Sequence, residues 1–336
     1  MKHVALLIAL TLSIALPAKA QETSGSFTEG SIRIGYDDRT CDASLEGSLR
    51  YNSGGDAVEV CSPYRPKAIH FDGVNDWLSI DHDNLSGIAD SNKYTISFWL
   101  RPATGGCDFC RIFSISDNGA LGGLTERFVL VMDDADANNI YDIEVYSNKD
   151  QTGNTYSGPI AGSNEILDVG SWYHVLISYD GTQGSDPARL RLYINDSDQQ
   201  AWSAGALTAM VDFASDFSPS TGTDDPFVTI GGFYDGPWQL IPADLADFWF
   251  NPATAFDLTN VTNRRKFIDA AGGPVYLGAD GSLPTGTAPL LFLSGPLSGW
   301  PANKGTGGGF ISNGTLSNGA SPPGASTSYE WRFWGQ

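Results

Sequence analysis

AIHFDGVNDWLSI, residues 68–80, decides the fold. Ile69 and Phe71 alternate with Ala68 and His70, and Leu78 and Ile80 alternate with Trp77 and Ser79. Between the two runs stands Asp72-Gly73-Val74-Asn75, a cluster of turn residues. Apolar residues two apart on either side of such a turn predict two half-buried strands. Working outward, the period stays at two. KYTISFWLRP (93–102) puts Tyr94, Ile96, Phe98 and Leu100 on one face. RIFSIS (111–116) follows, and RFVLVM (127–132) and IYDIEVYS (140–147) flank the acidic turn DDADANN as a long hairpin. WYHVLISYD (172–180), ARLRLYIND (188–196), PFVTIGGFYD (226–235) and ADLADFWF (243–250) are further strands. A series of this kind without interleaved helices predicts an all-β antiparallel sandwich.

The flanks read differently. Residues 4–16, VALLIALTLSIAL, form an apolar run behind Lys2 and His3, and Ala18-Lys19-Ala20 follows the small-x-small cleavage rule. This predicts a signal peptide over residues 1–20, with a secreted product, extracellular or periplasmic. The run is too short to span a membrane, and no membrane insertion is expected. Residues 21–66 read as a loose leader and a cysteine-bounded hairpin, with GSLRYN and AVEV as its strands. The segment 252–336 reads as a C-terminal extension packed on the sandwich. It offers one helix from Leu258 to Ala271 with Asp257 as its cap, and a last strand, YEWRFW, whose Trp331, Phe333 and Trp334 pack on the sandwich. In an oxidising compartment the four cysteines imply two disulfides. Sequence proximity favours Cys41–Cys61 and Cys107–Cys110, with a zinc site as the rival for the second pair.

Charge narrows the function. The chain has 336 residues, 19 basic against 39 acidic, for a net of −20. Removing residues 1–20 takes away two lysines and no acid, which leaves −22. So negative a surface repels phosphate backbones and anionic lipid, and no nucleic-acid partner is expected. It suits divalent cations.

Five stretches, in order, resemble the laminin-G-like, concanavalin A-like jelly rolls of lectins and glucanases. They are AIHFDGVNDWLSI, TISFWLRP, SWYHVLISYDGT with ARLRLYIND, TIGGFYDG, and ADLADFWFNP. They cover about residues 67–251. The flanks resemble modules of secreted bacterial and phage-associated proteins. The resemblance implies a jelly-roll scaffold that binds glycan or protein, often with calcium and only sometimes with catalysis. It also implies a metal partner from the closing strand, Asp247, for the turn residues Asp72, Asn75 and Asp76. Calcium takes six to eight hard oxygens, which a tight acidic turn supplies. The competing reading makes Asp72 and Asn75 ordinary turn residues bonding their own backbone.

Three other stretches bear on chemistry. Asp133 to Asn138 starts like an EF-hand but has Asn139 where glycine is needed and Val145 where a bidentate glutamate is needed. A solvated turn is expected there, with room for a second, weak cation. Glycosidases on this scaffold carry paired carboxylates on one strand. The nearest match is Asp142-Ile143-Glu144, but residue 140 is Ile where a leading glutamate belongs. An edge-strand acidic pair facing solvent is the expectation. His174, beside Trp172 and Tyr173, reads as a packed histidine, and no GxSxG motif is present. For sugar binding the loop 233–239 stands out, because Tyr234, Asp235, Trp238 and Gln239 combine aromatic faces with hydroxyl-bonding groups. The sequence thus points to a non-catalytic, calcium-assisted glycan-binding protein. A structural or adhesion protein that binds protein partners is the alternative, and a glycoside hydrolase the third reading.

Overall fold

A computed structural model describes residues 27–28, 31–32, 34–53, 57–81, 84–85, 92–105, 109–119, 123–133, 140–147, 161–162, 167–199, 227–232, 239–252, 254–324 and 329–333. The predicted signal peptide lies outside them. No helix among the described residues is long and apolar enough to cross a membrane.

The chain divides into two units, Met1–Ser62 with Trp331–Gln336, and Pro63–Glu330. In the smaller, β1 (Phe27–Thr28) pairs with β2 (Ser31–Ile32). β3 (Leu49–Asn52) and β4 (Ala57–Pro63) form the expected hairpin, with Leu49 opposite Val60. The Cys41–Cys61 disulfide closes it. Arg50 bonds Glu59 across the pair at 2.7 Å.

The larger unit is antiparallel throughout. Its strands are β5 (Ala68–Asp72), β6 (Trp77–Asp81), β7 (Lys93–Pro102), β8 (Cys110–Gly119), β9 (Gly123–Asp133), β10 (Ile140–Ser147), β11 (Ala161–Gly162), β12 (Leu167–Asp168), β13 (Tyr173–Asp180), β14 (Leu190–Ile194), β15 (Ser197–Asp198), β16 (Phe227–Ile230), β17 (Pro242–Asn251), β18 (Leu291–Leu293), β19 (Ile311–Asn313) and β20 (Ser317–Asn318). One sheet runs β11-β10-β9-β8-β16-β6-β19, with β12 also on β10. The other runs β15-β14-β13-β7-β17-β5-β20, with β18 also on β17. Because side chains alternate along a strand, each sheet sends every second residue inward. Tyr94, Ile96, Phe98 and Leu100 of β7 meet Leu78, Ile80, Phe113 and Leu130 in one continuous core. Each such buried side chain contributes about 1.5–3 kcal/mol. Strands β5 to β10, β13, β14, β16 and β17 fall where the alternation puts them.

The extension does more than pack on the sandwich. β19 and β20 are edge strands of the two sheets, on β6 and β5. The segment between them and β17 covers the outer face of the β7 sheet. Leu258, Phe267, Leu277 and Phe292 close over Leu176, Tyr193 and Trp249. Ile268 closes over Ala68, Trp99 and Ala246.

The predicted helix over 258–271 is corrected to a single turn, α2 (Val261–Arg264), capped by Asn260. Asp257 is not its cap, because its carboxylate takes the backbone and hydroxyl of Thr259. Asn260, Thr262 and Asn263 are weak helix formers. Just past the turn, Phe267 and Ile268 are drawn into separate apolar clusters on the sheet, and Asp269 accepts the N–H groups of Ala271 and Gly273. A second short turn, α1 (Asp186–Arg189), precedes β14. The last strand, β21 (Tyr329–Phe333), is corrected too. It pairs with β4, making the hairpin three-stranded. Trp331 donates its indole N–H to the Arg39 carbonyl at 3.0 Å and lies under the Arg50 guanidinium.

Candidate functional site

Strands β9 and β10 bring three acids together on the outer face of the first sheet, beside Arg111 of β8. In β9, Leu130 and Met132 point into the core, so Val131 and Asp133 point out. Glu144 of β10 is paired with Val131, and Asp142 with Asp133. Arg111 of β8 is paired with Val131 on the other side. The result is a cross-strand row Arg111–Val131–Glu144 beside the pair Asp133–Asp142. Carboxylate oxygens of Asp133, Asp142 and Glu144 all lie within 4.8 Å of one another, and all three residues are half-buried. This corrects the expectation of an edge-strand pair facing solvent. β10 is flanked by β9 on one side and by β11 and β12 on the other, and a third acid joins from across the hairpin.

Aromatic rings border the acids. Phe109 holds a left-handed backbone at φ 61°, rare for a bulky residue. Its N–H donates to Asp133 Oδ1 at 2.7 Å. Its ring meets the edge of Tyr146 at 4.8 Å and lies 5.5 Å from the Arg111 guanidinium. The Tyr146 hydroxyl donates to Glu144 Oε2 at 2.5 Å. Burial pushes the Glu144 carboxyl above its ordinary range, the Tyr146 bond opposes this, and the charge of Asp133 adds to it. Burial, then the bond to Glu144, raises the Tyr146 phenol. Chemically the arrangement is a concentration of hard oxygens with an aromatic wall. Atoms bonded to one calcium at about 2.3–2.6 Å lie at most about 5 Å apart. The observed spread fits that limit.

Of the residues predicted for sugar binding, Gln239 lies close to this row in the pairing. Gln239 is exposed, at φ 55°, and its carbonyl accepts the Arg111 N–H at 2.9 Å. The loop therefore ends against β8. Tyr234, Asp235 and Trp238 lie outside the described residues, as do Cys107 and the turn 134–139. Cys110 is disulfide-bonded, its other half beyond the described residues.

The predicted calcium set does not gather. Asp72 Oδ1 accepts the N–H groups of Val74 and Asn75 at 2.7 and 3.0 Å, a self-capped turn. Asp76 is 1% exposed and accepts the Thr315 N–H at 2.7 Å. Gly314 explains the rest. It sits at φ 75°, and a Cβ there would collide with Asn75 O and Asp76 Oδ1. The oxygens of Asn75 and Asp76 thus face the backbone of Gly314 and Thr315. Asp247 is elsewhere. Pro242 is the residue paired with Asp72, and Asp247 lies five residues further along β17, about 16 Å away. It is 3% exposed, at φ 49° in a bulge of β17, and its Oδ2 accepts the Tyr64 hydroxyl at 2.6 Å. Burial raises its carboxyl to about 6, against the bonds from Tyr64 and Ser294 and the charge of Lys304.

The model of the concanavalin A-like lectin/glucanases superfamily matches residues 72–251, from the self-capped turn to the end of β17. The chain belongs to this superfamily. As a concanavalin A-like lectin/glucanase-type chain, it has the fold shared by lectins and glucanases. No curated protein matches it in sequence. Solved structures that resemble it do so distantly. Tailspike protein 2 of an Escherichia coli O157:H7 bacteriophage is 14% identical, with a TM-score of 0.32, over 55% of this chain and 22% of that one. A Trypanosoma rangeli sialidase is 11% identical, with a TM-score of 0.34, over 65% and 30%. The carbohydrate recognition domain of Emp46p, in metal-free form, is 10% identical, with a TM-score of 0.31, over 58% and 88%. The chain thus spans less than a third of the tailspike and the sialidase.

Within the concanavalin A-like frame, the other face of the sandwich holds His174. It is 1% exposed, bonded to Ser97 Oγ at 2.9 Å and packed on Trp99. Burial lowers its pKa to about 3, which keeps it neutral. Sequence reasoning missed Asp133 as a member of the acidic cluster. The signal was available in the hairpin register, since residues closing a turn from both strands face each other.

Proposed function

We propose that this chain is a secreted, non-catalytic glycan-binding protein that holds its ligand beside a calcium ion at Asp133, Asp142 and Glu144. The observation that carries the reading is the three-carboxylate cluster bordered by Phe109 and Tyr146, with the foot of the Gln239 loop tied to the adjoining Arg111. Three like charges within 4.8 Å repel one another. A divalent cation would neutralise them and offer open coordination positions to sugar hydroxyls. Phe109, half-buried and braced by the edge of Tyr146, supplies the apolar surface on which the face of a sugar ring rests. Secretion is supported by the leader-like residues 1–20 and by a disulfide, Cys41–Cys61, of the kind that persists in oxidising compartments.

One observation favours a second reading, glycoside hydrolysis. Asp142 and Glu144 stand on one strand face with close carboxylates, and the Glu144 carboxyl is raised, as a general acid requires. Retaining glycosidases separate their carboxyl groups by about 5–5.5 Å. A polysaccharide pull-down with residues 21–336, with calcium or chelator, tests both. Calcium-dependent retention without new reducing ends is the expected result. New reducing ends, lost in Glu144→Gln, would replace it with the hydrolase reading. No retention on any polysaccharide would overturn glycan binding and leave a protein partner.

A further inference from the structure

A cavity of about 360 Å³ opens on the other side of the sandwich, where the extension crosses β13 and β14. Asp180 comes from β13, Gln183 from the turn after it, Ala188 from α1, and Phe256, Asp257 and Thr259 from the crossing segment. Its size lies at the small end of small-molecule sites, roughly 300–1,000 Å³, which suits one sugar ring. We propose that this cavity binds a single neutral hexose, which lays an apolar face on Phe256 and sets its hydroxyls against Asp257, Thr259 and Gln183.

Charge selects a neutral ligand. The lining carries two acids, Asp180 and Asp257, and two arginines, Arg189 and Arg191, so its formal charges cancel. Both arginines already have protein partners. Arg189 donates to the Gln183 carbonyl at 2.8 Å, and Arg191 meets Asp198 at 3.3 Å. Asp180 Oδ1 takes the Thr182 N–H and hydroxyl, and Oδ2 takes the Gln183 amide and the Lys93 ammonium. That fills the roughly four acceptor positions of a carboxylate. The Lys266 ammonium, 5.0 Å from the Phe256 ring, disfavours a second cation beside that ring.

Hydrogen bonding selects hydroxyls. Asp257 Oδ1 takes the N–H and hydroxyl of Thr259, and its Oδ2 has no partner among the described residues. The Thr259 oxygen has given its proton to Asp257 and keeps its lone pairs. Gln183 gives one amide proton to Asp180 at 3.0 Å, which leaves Oε1 and a second amide proton. The open positions are thus mostly acceptors with one donor among them, and a hydroxyl, which both donates and accepts, matches that set. Phe256 supplies the apolar part. It is half-buried, its N–H donates to Thr95 Oγ1 at 3.3 Å, and its ring meets Phe267 edge-on at 5.7 Å. A wall fixed before the ligand arrives loses little freedom on binding. The cavity lies on the opposite sheet from the acidic cluster and uses no ion, so it does not depend on the reading given to that cluster.

The test is titration of the full mature chain with D-glucose, D-galactose and D-mannose, against D-glucuronate and protonated D-glucosamine, by calorimetry and ligand-observed NMR in the presence of chelator. The expected result is saturable binding of at least one neutral hexose, about tenfold tighter than either charged sugar, since a charge left without a partner costs at least about that much. Chelator should leave it intact, because side-chain oxygens and an aromatic ring do the binding. Asp257→Asn keeps an oxygen for Thr259 but turns the open acceptor into a donor, and should weaken binding by about tenfold. Ala188 is exposed at the rim, so Ala188→Phe should block the cavity without disturbing the fold, with the melting temperature as the check. The proposal is overturned by absence of saturable binding of all three hexoses, by equal or tighter binding of a charged sugar, by loss of binding in chelator, or by a folded Asp257→Asn or Ala188→Phe variant that binds as the parent chain does.

Discussion

The two outer faces of the sandwich solve the same problem in opposite ways. The β7 sheet turns Trp99, His174, Trp249 and Asp247 outward and covers them with the extension. There the polar groups are given specific neighbours, Asp247 Oδ1 excepted. The Trp249 indole donates to the Gly281 carbonyl, His174 bonds Ser97, and Asp247 bonds Tyr64. The β9–β10 end of the other sheet turns Asp133, Asp142 and Glu144 outward, half-buried and close enough to repel. One face has its polar groups covered and largely bonded by the protein itself. The other holds an excess of one charge that a cation would satisfy. A face whose polar groups are covered and largely bonded has stability as its task, whereas an uncompensated cluster of like charges marks a place for a ligand.

Opening the covered face should have the largest effect. Trp249→Ala removes a ring that is 0% exposed and packs on Phe267, and is expected to cost about 3–5 kcal/mol in chemical denaturation. A loss under about 1 kcal/mol would show that the cover is not part of the core. Acid attacks the same face next. His174 has its folded pKa pulled down to about 3 from an ordinary 6.5, so the unfolded chain binds the proton first as pH falls. Stability should therefore drop between about pH 6.5 and 3, by on the order of 4 kcal/mol. His174→Gln should flatten that limb of the stability curve. Asp247 slopes the other way. Its folded pKa is raised to about 6, so the stability contributed by its protonated form is present below about pH 4 and lost as pH rises to about 6. Asp247→Asn should remove this fall, on the order of 3 kcal/mol, in the same titration. The smallest effect belongs to the acidic face. Millimolar calcium should raise the melting temperature by about 2–4 °C, the shift that about 1 kcal/mol of ligand binding gives a domain of this size. Glu144→Gln should abolish the rise, and an unchanged rise in that variant would place the ion elsewhere.

Much of the fold was legible because it rests on local alternation. Tyr94, Ile96, Phe98 and Leu100 had to share a face, and the strand could bury that face only against a second sheet. What escaped was whatever depends on long-range docking. A helix over 258–271 satisfied local signals, but Phe267 and Ile268 gain more by reaching separate clusters on the sheet than by continuing a turn. The tail strand was recognisable as a strand, while its partner, β4, was not, because pairing is not written in alternation. The site divides in the same way. Asp142 and Glu144 were visible as a same-face pair two residues apart, whereas Asp133 joins them through hairpin register. The turn 72–76 looked like a ligand set because carboxylates that cap a chain and carboxylates that hold a metal have the same composition. Only Thr315 and Gly314, more than 230 residues later, distinguish them.

That late partner sets a timetable. The first two strands of the sandwich, β5 and β6, each wait for an edge strand, β20 and β19, from the final tenth of the chain. Until residues 311–318 arrive, both carry a row of unpaired backbone groups, open to a neighbouring molecule. Assembly of the sheets is thus completed only after residue 318 has been made, and closure joins residues as distant as His70 and Ser317, which is slow by topology. A fragment cut at residue 251 would hold every strand of the recognised superfamily segment and still present two uncapped edges. It should aggregate where the longer chain stays dispersed, so the unit of inheritance read from the sequence is shorter than the unit that can be expressed.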